Sequence, residues 1–442
     1  MAETSTETPQ DSRFGAALSM AAGLFALPGV LLARPARVLG LRKFVADAFV
    51  EGNLRYLTDA EHRNRIEYVQ TPVDRSAEIR AKTEAHIRAL VAMEDWIGLA
   101  DTMAELDQTR AACPDGARLI YPALDTVTRC FAKGYYEPNA CMPFPAAAID
   151  PLDIDRVEAI AAANPDHYVL SAIAAHFRLQ NAWEYRGGIY ADAVAEDEWE
   201  AAQNCAARAY DTLDPCIETH PTSPLVAYME FSHLPFDPEG DRHIHALYRE
   251  WAELDPDNHL AHRQYGCYLL PRWFGGDEDF DLYLRKAALE NQGTCGAGAY
   301  ASAYLFMTTI DQFAVYHMDE SLFCEGVFAL AERSDNDPCV VARLVQQVHL
   351  QAQFSVPRKT DAATAQALET KKARLIGLRD QLLRAHLTAI NPSAWDGGTQ
   401  EALNCLSLAL QDELATDATF VLDRNGLTVC EESVKRPDAH YL

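Results

Sequence analysis

Apolar residues recur at helical spacing through most of this 442-residue chain. In segment 95–112, for example, Trp96, Leu99, Met103 and Leu106 fall on one face of a helix. The same spacing returns in segments 74–93, 244–254, 341–348 and 360–390. Since residues three and four positions apart are neighbours on a helix surface, these patterns predict amphipathic helices.

Pairs of aspartate or asparagine with proline lie between the helical segments. Such pairs stand at Asn164-Pro165, Asp214-Pro215, Asp255-Pro256, Asp337-Pro338 and Asn391-Pro392. Proline is tolerated in the first turn of a helix, and Asp or Asn is a favourable N-cap, so each pair is predicted to end one helix and start the next. Short helices at steps of roughly 40 residues indicate an all-α fold, a tetratricopeptide-like α-solenoid of irregular helix pairs.

Composition and pattern divide the chain into five parts. We predict, in order, a disordered acidic leader, an apolar helix, linker helices, a helical-repeat domain and a short tail, over 1–13, 14–33, 34–73, 74–415 and 416–442. The tail is either irregular or a β-hairpin. The hairpin is favoured by two-residue alternation over 419–430, where Asn425-Gly426 is a suitable turn.

The segment Phe14–Ala33 holds twenty residues without a charge. Twenty apolar residues are just enough to cross a bilayer. The acidic leader argues against a signal peptide, and the basic residues after the segment, Arg34, Arg37, Arg42 and Lys43, would keep the C-terminal body in the cytoplasm. We therefore expect a cytoplasmic protein that either contacts a membrane through this segment or packs it against itself or a partner.

Charge limits the choice of partner. The chain has 38 Lys and Arg against 65 Asp and Glu, a formal net charge of -27. Phosphate binding relies on basic side chains, so a nucleic-acid partner is not expected. A protein partner with a basic patch would be complementary. The 11 cysteines include no CxxC pair, which predicts reduced thiols in a cytosolic body.

Motifs for chemistry are sparse. Histidines cluster at His220, His233, His243, His245, His259 and His262. This cluster admits a metal-dependent hydrolase, but no HExxH accompanies it, and polar contacts between helices are the alternative. The glycine pairs 187–188 and 275–276 lack phosphate-loop spacing, and Asp277 after the second is predicted to cap a helix. With no nucleophile motif either, we predict no catalytic residue, metal or cofactor.

Aromatic and arginine residues in the middle third are better candidates for a binding site. Trp and Arg are frequent anchors at protein interfaces. Pro271 interrupts helical geometry, so Arg272 and Trp273 are predicted at a corner between helices. We predict that Trp183, Arg186, Arg272 and Trp273 line a concave groove for a partner protein. The alternative is that the aromatic side chains wedge helix pairs together.

Two segments resemble a bacterial family without an assigned activity, domain of unknown function 4034. The segment Trp183–Leu213 opens with Trp-x-x-Arg-Gly-Gly, has a second tryptophan, Trp199, and is followed by Asp-Pro. The segment Tyr268–Lys286 has Leu-x-Pro-Arg-Trp and then Phe-Gly-Gly-Asp. The resemblance covers residues 150–290. It implies a tetratricopeptide-like helical fold and no particular reaction.

These observations predict a non-enzymatic protein that binds a partner protein through a concave helical-repeat surface. An inhibitor or immunity-type protein would fit, as would an assembly scaffold. Two alternatives stay open. One is a membrane-anchored structural subunit, and the other is a metal-dependent hydrolase that uses the histidines between His220 and His262.

Overall fold

The computed structural model describes residues 65–71, 73–133, 148–187, 194–276, 279–357, 359–414 and 418–430. These residues are mainly helical, and a three-stranded sheet joins the first of them to the last. The predicted helical fold is therefore confirmed for this part of the chain, with the small sheet as an addition. The leader, the apolar segment Phe14–Ala33 and Asp277 lie outside the described residues.

Sixteen helices follow one another along the described part of the chain. They are α1 (Arg75–Ala92), α2 (Trp96–Gln108), α3 (Ile120–Phe131), α4 (Pro151–Ala163), α5 (Tyr168–Arg186), α6 (Glu196–Thr219), α7 (Pro224–His233), α8 (Gly240–Leu254), α9 (His259–Tyr268), α10 (Asp279–Glu290), α11 (Ala297–Ile310), α12 (Glu320–Arg333), α13 (Pro338–Gln351), α14 (Ala362–His386), α15 (Gly398–Ala409) and α16 (Gln411–Leu414). Short 3-10 turns lie at Leu234–Phe236, Gln312–Tyr316 and Pro392–Ala394. The strands are β1 (Ile66–Tyr68), β2 (Thr419–Asp423) and β3 (Gly426–Cys430).

Asp-Pro and Asn-Pro pairs set most of the helix boundaries they were predicted to set. Before α13, the side chain of Asp337 accepts hydrogen bonds from the backbone N–H groups of Cys339 and Val340, and Pro338 is the first helical residue. The carboxylate satisfies donors that the helix itself leaves unpaired, and proline lacks one of these donors.

The pair Asp214-Pro215 is an exception, because α6 continues through it to Thr219. The prediction that a helix ends there is wrong. Leu213 and Cys216, on either side of the proline, are both buried. Packing of this helix face outweighs the backbone hydrogen bond that Pro215 removes.

Helices α5 and α11 lie at the centre of the core. In α5, 15 of 19 residues are buried, and the helix packs against α4 and α6. Helix α11 packs against α9 and α12. Gly326 lets α12 approach closely, since a Cβ there would lie 2.1 Å from the carbonyl oxygen of Ala297. Packing between helices close in sequence is the arrangement of a solenoid.

The sheet corrects two details of the sequence predictions. Strand β1 pairs in parallel with β2, with Ile66 opposite Phe420, so residues 66–68 of the predicted linker helices form a strand instead. Pairing against the fully buried Phe420 holds this segment extended. The predicted hairpin is confirmed, but its two-residue loop is Arg424–Asn425, and Gly426, with φ at +99°, already belongs to β3. The hairpin is part of the core rather than a loose tail.

The loop between α2 and α3 holds two distant turns. Arg110 donates to the carbonyl oxygens of Thr222, 3.1 Å away, and Leu254, 3.5 Å away. These residues lie just before α7 and at the end of α8. Arg118 of the same loop forms an ion pair with Asp255, next to Leu254. One loop therefore fixes the positions of two later helix pairs.

The two ends of the described chain also meet. Asp74, the N-cap of α1, pairs with Arg343 of α13. The backbone N–H of Thr71 donates to the carbonyl oxygen of Ile390, 3.0 Å away. Together with the pairing of β1 and β2, these contacts close the helical array on itself.

Two further properties concern membrane contact and thiols. Within the described ranges, no helix combines the length and apolar character needed to span a membrane. The ten cysteines found in those ranges are free thiols, and Cys141 lies outside them.

Candidate functional site

The four predicted site residues come from two elements. Trp183 and Arg186 stand in the last turn of α5, and Arg272 and Trp273 lie in the turn that follows α9. This turn is tight. A Cβ on Gly275 would lie 1.6 Å from the carbonyl oxygen of Leu269, so only glycine fits there.

Arg186 lies between two indole rings. Its guanidinium carbon is 5.7 Å from the ring centroid of Trp183 and 5.0 Å from that of Trp273. The two rings meet edge to face, with centroids 5.6 Å apart and planes at 77°. Both distances are within the range of a cation–π interaction. The structure thus brings three of the predicted residues into direct contact.

Exposure separates these residues into two groups. Trp183 has 0% of its surface exposed and Arg186 has 6%, whereas Arg272 and Trp273 are half-buried. Burial lowers the pKa of Arg186, and the charge of Arg272 lowers it further. Trp183 and Arg186 therefore belong to the packed interior. Arg272 and Trp273 keep surface for a partner, and their role in binding stays a prediction.

Aromatic packing extends from this stack. The ring of Trp183 meets Phe236 at 5.0 Å, and Trp199 lies 6.4 Å from Phe236. On the other side, Tyr268 lies 5.8 Å from Trp273. Such contacts between α5, α6, α9 and the Leu234–Phe236 turn are those expected of wedges between helix pairs. The alternative interpretation of the aromatic residues therefore describes Trp183 well.

The histidines between His220 and His262 do not converge. His233 contacts the carbonyl oxygen of Ala206 at 3.1 Å, and His245 Nδ1 lies 2.8 Å from the hydroxyl of Tyr265. Among the described residues, no group of three His, Cys, Asp or Glu side chains is arranged to hold a metal ion. His233 and His245 act as polar partners between helices.

His262 shows the same role at greater depth. Its side chain is buried, with Nδ1 3.0 Å from the hydroxyl of Tyr248 and Nε2 3.0 Å from the carbonyl oxygen of Pro256. A neutral ring satisfies both contacts, because Nε2–H donates to the carbonyl and Nδ1 accepts from the hydroxyl. Burial lowers the pKa of His262 to about 4.

A polar cleft of about 260 Å³ lies around Asp107 and was not foreseen from the sequence. Its carboxylate accepts hydrogen bonds from the hydroxyls of Ser223, at 2.5 Å, and Tyr168, at 2.8 Å, and from the backbone N–H of Leu225 at 2.9 Å. Burial raises the pKa of Asp107. Because Ser223 donates to the carboxylate rather than to His220, this is not a nucleophilic triad. Asp107 instead caps the start of α7.

Acidic side chains surround Tyr210 on α6. The side chain of Tyr210 is 38% exposed. Its pKa is raised by burial and then by the charges of Glu230, Asp214 and Asp237. Glu250 of α8 acts on Glu230 in the same way. We call Asp214, Glu230 and Asp237, which act on Tyr210, together with Glu250, which acts on Glu230, the acidic face.

Sequence reasoning missed the Asp107 cleft and the acidic face for the same reason. Asp107 and Ser223 are 116 positions apart, and the carboxylates of the acidic face come from α6, α7, α8 and the residue after the Leu234–Phe236 turn. No short motif joins them. The abundance of acidic residues in the chain also hides a particular group of four.

Comparisons with known proteins identify no relative of this chain. No family model, no curated protein and no solved structure matches this chain. The resemblance to domain of unknown function 4034 therefore stays a prediction.

Proposed function

We propose that this protein is a non-enzymatic interaction module that binds a basic segment of a partner protein on the acidic face. The proposal depends on one observation. Tyr210 is a partly exposed aromatic residue, and carboxylates of α6, α7 and the residue after the Leu234–Phe236 turn act on it. Within the described part of the chain, Asp214, Glu230 and Asp237 take part in no ion pair. Asp214 is exposed, so its charge is open to solvent or to a partner, whereas Oδ1 of Asp237 accepts a hydrogen bond from the backbone N–H of Glu239, 2.9 Å away.

The Arg272–Trp273 turn supplies the second half of the proposed surface. Phe236, next to Asp237 of the acidic face, contacts Trp183, and Trp183 contacts Trp273. The turn also touches the start of α8, since a Cβ on Gly240 would lie 3.1 Å from the ring of Phe274. The acidic face and the turn are thus joined through one aromatic cluster.

The expected binding mode follows from these chemical properties. Lysine or arginine side chains of the partner would pair with the acidic face, which speeds encounter and excludes acidic competitors. Tyr210 and Trp273 would supply the apolar anchors that carry most of the affinity. An inhibitor or immunity-type protein with a basic target fits this mode, as does a scaffold. Neither the membrane-anchored subunit nor the metal-dependent hydrolase gains support from the described residues.

Two neutralising changes on α6 test the proposal. A partner recovered with the wild-type protein from its native cells is purified, and its affinity is measured by calorimetry at low and high salt. Asp214→Asn of the acidic face, combined with Asp211→Asn at the exposed position next to Tyr210, should weaken binding by about tenfold, and the loss should shrink at high salt because screening removes the same attraction. Both side chains are exposed, so the fold should not change.

A matched change on α12 supplies the control. Glu325 and Glu332 are also exposed carboxylates, and they lie far along the chain from the acidic face. Glu325→Gln with Glu332→Gln removes the same net charge. Equal weakening by both pairs would mean that only total charge matters, and the acidic face would be rejected as the binding surface.

A further inference from the structure

Five arginines gather where the 113–118 loop meets α1, α9, α12 and α13. Four of them form ion pairs: Arg80 with Asp115, Arg118 with Asp255, Arg333 with Asp257 and Arg343 with Asp74. The fifth is Arg263 of α9. We call these five residues together with His259 the arginine cluster. Such a gathering stands out in a chain with a net charge of -27.

Arg263 differs from the other four. In the described part of the chain it belongs to no ion pair, and its Nε is buried without a hydrogen-bond acceptor. The carboxylate that acts on it is that of Asp115, which already pairs with Arg80. Burial lowers the pKa of Arg263. A buried donor without an acceptor is costly, and more so when it carries a charge.

His259 adds a second buried nitrogen, which donates when the neutral ring carries its proton on Nδ1, since burial lowers the pKa of His259 to about 3. It precedes Arg263 by four positions on α9, so the two side chains share a helix face. The Nδ1 of His259 is buried without a hydrogen-bond partner among the described residues. Its Nε2 faces the loop, since a Cβ on Gly116 would lie 2.5 Å from it.

Arg343 supplies a third donor from another element. Its Nη1 is buried without a hydrogen bond, although it forms an ion pair with Asp115, whose carboxylate oxygen is 3.7 Å away. Asp115 lies beside Arg343 and the next residue, Gly116, lies beside His259. Consecutive residues of one loop thus bring donors of α9 and α13 together.

We propose that the arginine cluster binds a phosphate-type oxyanion, with Arg263 as the main ligand and with His259 and Arg343 as further donors. Arginine donates to such oxygens in a fixed planar geometry, and charge-assisted hydrogen bonds are the strongest of their class. Arg118 and Arg333 are already paired with Asp255 and Asp257, so the charge left for an oxyanion is that of Arg263, which also acts on His259. The ligand is either free phosphate or the phosphoryl group of a small molecule.

The test uses the full-length protein with inorganic phosphate and with phenyl phosphate, at constant ionic strength set by sodium chloride. Binding is followed by calorimetry and by the shift in the thermal unfolding midpoint. We expect at least one of the two probes to bind and to raise the midpoint of the wild type. Tighter binding of inorganic phosphate indicates the free ion, and tighter binding of phenyl phosphate indicates a phosphorylated small molecule.

Arg263→Gln should weaken binding by about tenfold or more, as expected when one charged donor is lost. Without ligand, this variant should unfold at the same temperature as the wild type or higher, because a buried charge without an ion-pair partner is removed. Arg242→Gln is the control, since Arg242 is exposed on α8 and its one ion pair among the described residues is with Glu239. It should bind the probe as the wild type does.

Two outcomes would overturn the proposal. One is that neither phosphate nor phenyl phosphate binds to the wild type more tightly than chloride does. The other is that Arg263→Gln binds the probe with wild-type affinity. A fall in the unfolding midpoint of ligand-free Arg263→Gln, together with unchanged binding, would assign Arg263 to the fold alone.

Discussion

Arg118 and Asp255 form a two-pronged ion pair between the loop before α3 and the turn before α9. The Nε of Arg118 lies 2.9 Å from one carboxylate oxygen, and its Nη2 lies 2.5 Å from the other. The side chain of Asp255 is 3% exposed and that of Arg118 is 13% exposed. Since 137 positions separate the two residues, the pair forms only when distant helices of the array have packed together, and not when a single helix has formed.

Breaking this pair should destabilise the protein strongly. Arg118→Ala leaves Asp255 buried without its charge partner, which costs about 3–5 kcal/mol. Arg242→Ala, which breaks an exposed pair on α8, should cost at most about 1 kcal/mol. Urea unfolding followed by circular dichroism gives both values. Equal losses in the two variants would mean that the loop does not hold the turn.

Gly116 of the same loop is predicted to resist substitution for two separable reasons. Its φ of +80° strains any residue with a Cβ, and that Cβ would lie 2.5 Å from Nε2 of His259. Gly187 has a similar φ of +66° but no neighbour within 4 Å of the Cβ position. Gly187→Ala should therefore cost only the strain, on the order of 1–3 kcal/mol, because φ +66° with ψ -178° is a conformation that essentially only glycine adopts.

Gly116→Ala should exceed that cost by about 1 kcal/mol or more, because His259 must move as well. Urea unfolding gives both values, and a double-mutant cycle of Gly116→Ala with His259→Ala isolates the contact between the two residues. If Gly116→Ala costs no more than Gly187→Ala, the loop is free to shift away from α9.

The helices and the hairpin could be predicted from the sequence because their signals are local. Leu375, Leu378 and Leu382 repeat at helical spacing, and all three are buried on α14. Asp337-Pro338 likewise carries its own capping chemistry. The loop at Arg424–Asn425 is one position from the predicted turn, because Gly426 uses its positive φ inside the first ladder pair of β3.

Long-range pairings could not be predicted in this way. Strand β1 is three residues long, and it is extended because β2 lies beside it. The local sequence pattern of residues 66–68 does not indicate this distant partner. The four site residues were predicted as a group, and three of them do touch. Their depth was not predictable, because the spacing of Trp183 is the same whether its ring is 0% exposed or lines a groove.

Substitutions in the tryptophan stack should separate packing from binding. Trp183→Ala should destabilise by about 3–5 kcal/mol, since the ring is fully buried. Arg272→Ala should leave the free energy of unfolding nearly unchanged. If the turn binds the partner, Arg272→Ala and Trp273→Ala should each weaken the complex by about 2 kcal/mol or more.

Calorimetry with the purified partner and urea unfolding of each variant give the two quantities. Wild-type affinity in Arg272→Ala, with a large stability loss in Trp273→Ala, would assign the turn to packing alone. The acidic face would then be the remaining surface of the proposed function.

The C-terminal hairpin is predicted to be part of the folded body. Phe420 is fully buried, and the backbone N–H of Phe420 donates to the carbonyl oxygen of Arg65, 2.9 Å away. Phe420→Ala should cost about 3–5 kcal/mol. Val429→Ala is the control, because Val429 lies opposite Phe420 in the ladder but is 46% exposed. Similar small losses in the free energy of unfolding for both variants would mean that the hairpin does not contribute to the folded core.

Acidification should destabilise the protein through His262. Burial, the largest cause, lowers the pKa of this histidine from 6.5 to about 4. The folded state therefore binds fewer protons than the unfolded state between these values, so stability falls as the pH is lowered from 6.5 towards 4. The contribution of this one group is on the order of 3 kcal/mol. It is fully present above pH 6.5.

His262→Gln should flatten this part of the pH dependence, because the amide does not titrate. Its amide can still donate to the carbonyl oxygen of Pro256, so the variant should remain folded near neutral pH. His243→Gln is the control, since that side chain is exposed on α8. Urea unfolding at several pH values between 4 and 6.5 gives the slopes. If the free energy of unfolding has the same slope against pH in the wild type and in His262→Gln, the interpretation is wrong. His262 would then gain its proton without loss of the contacts to Tyr248 and Pro256, and burial would not control its titration.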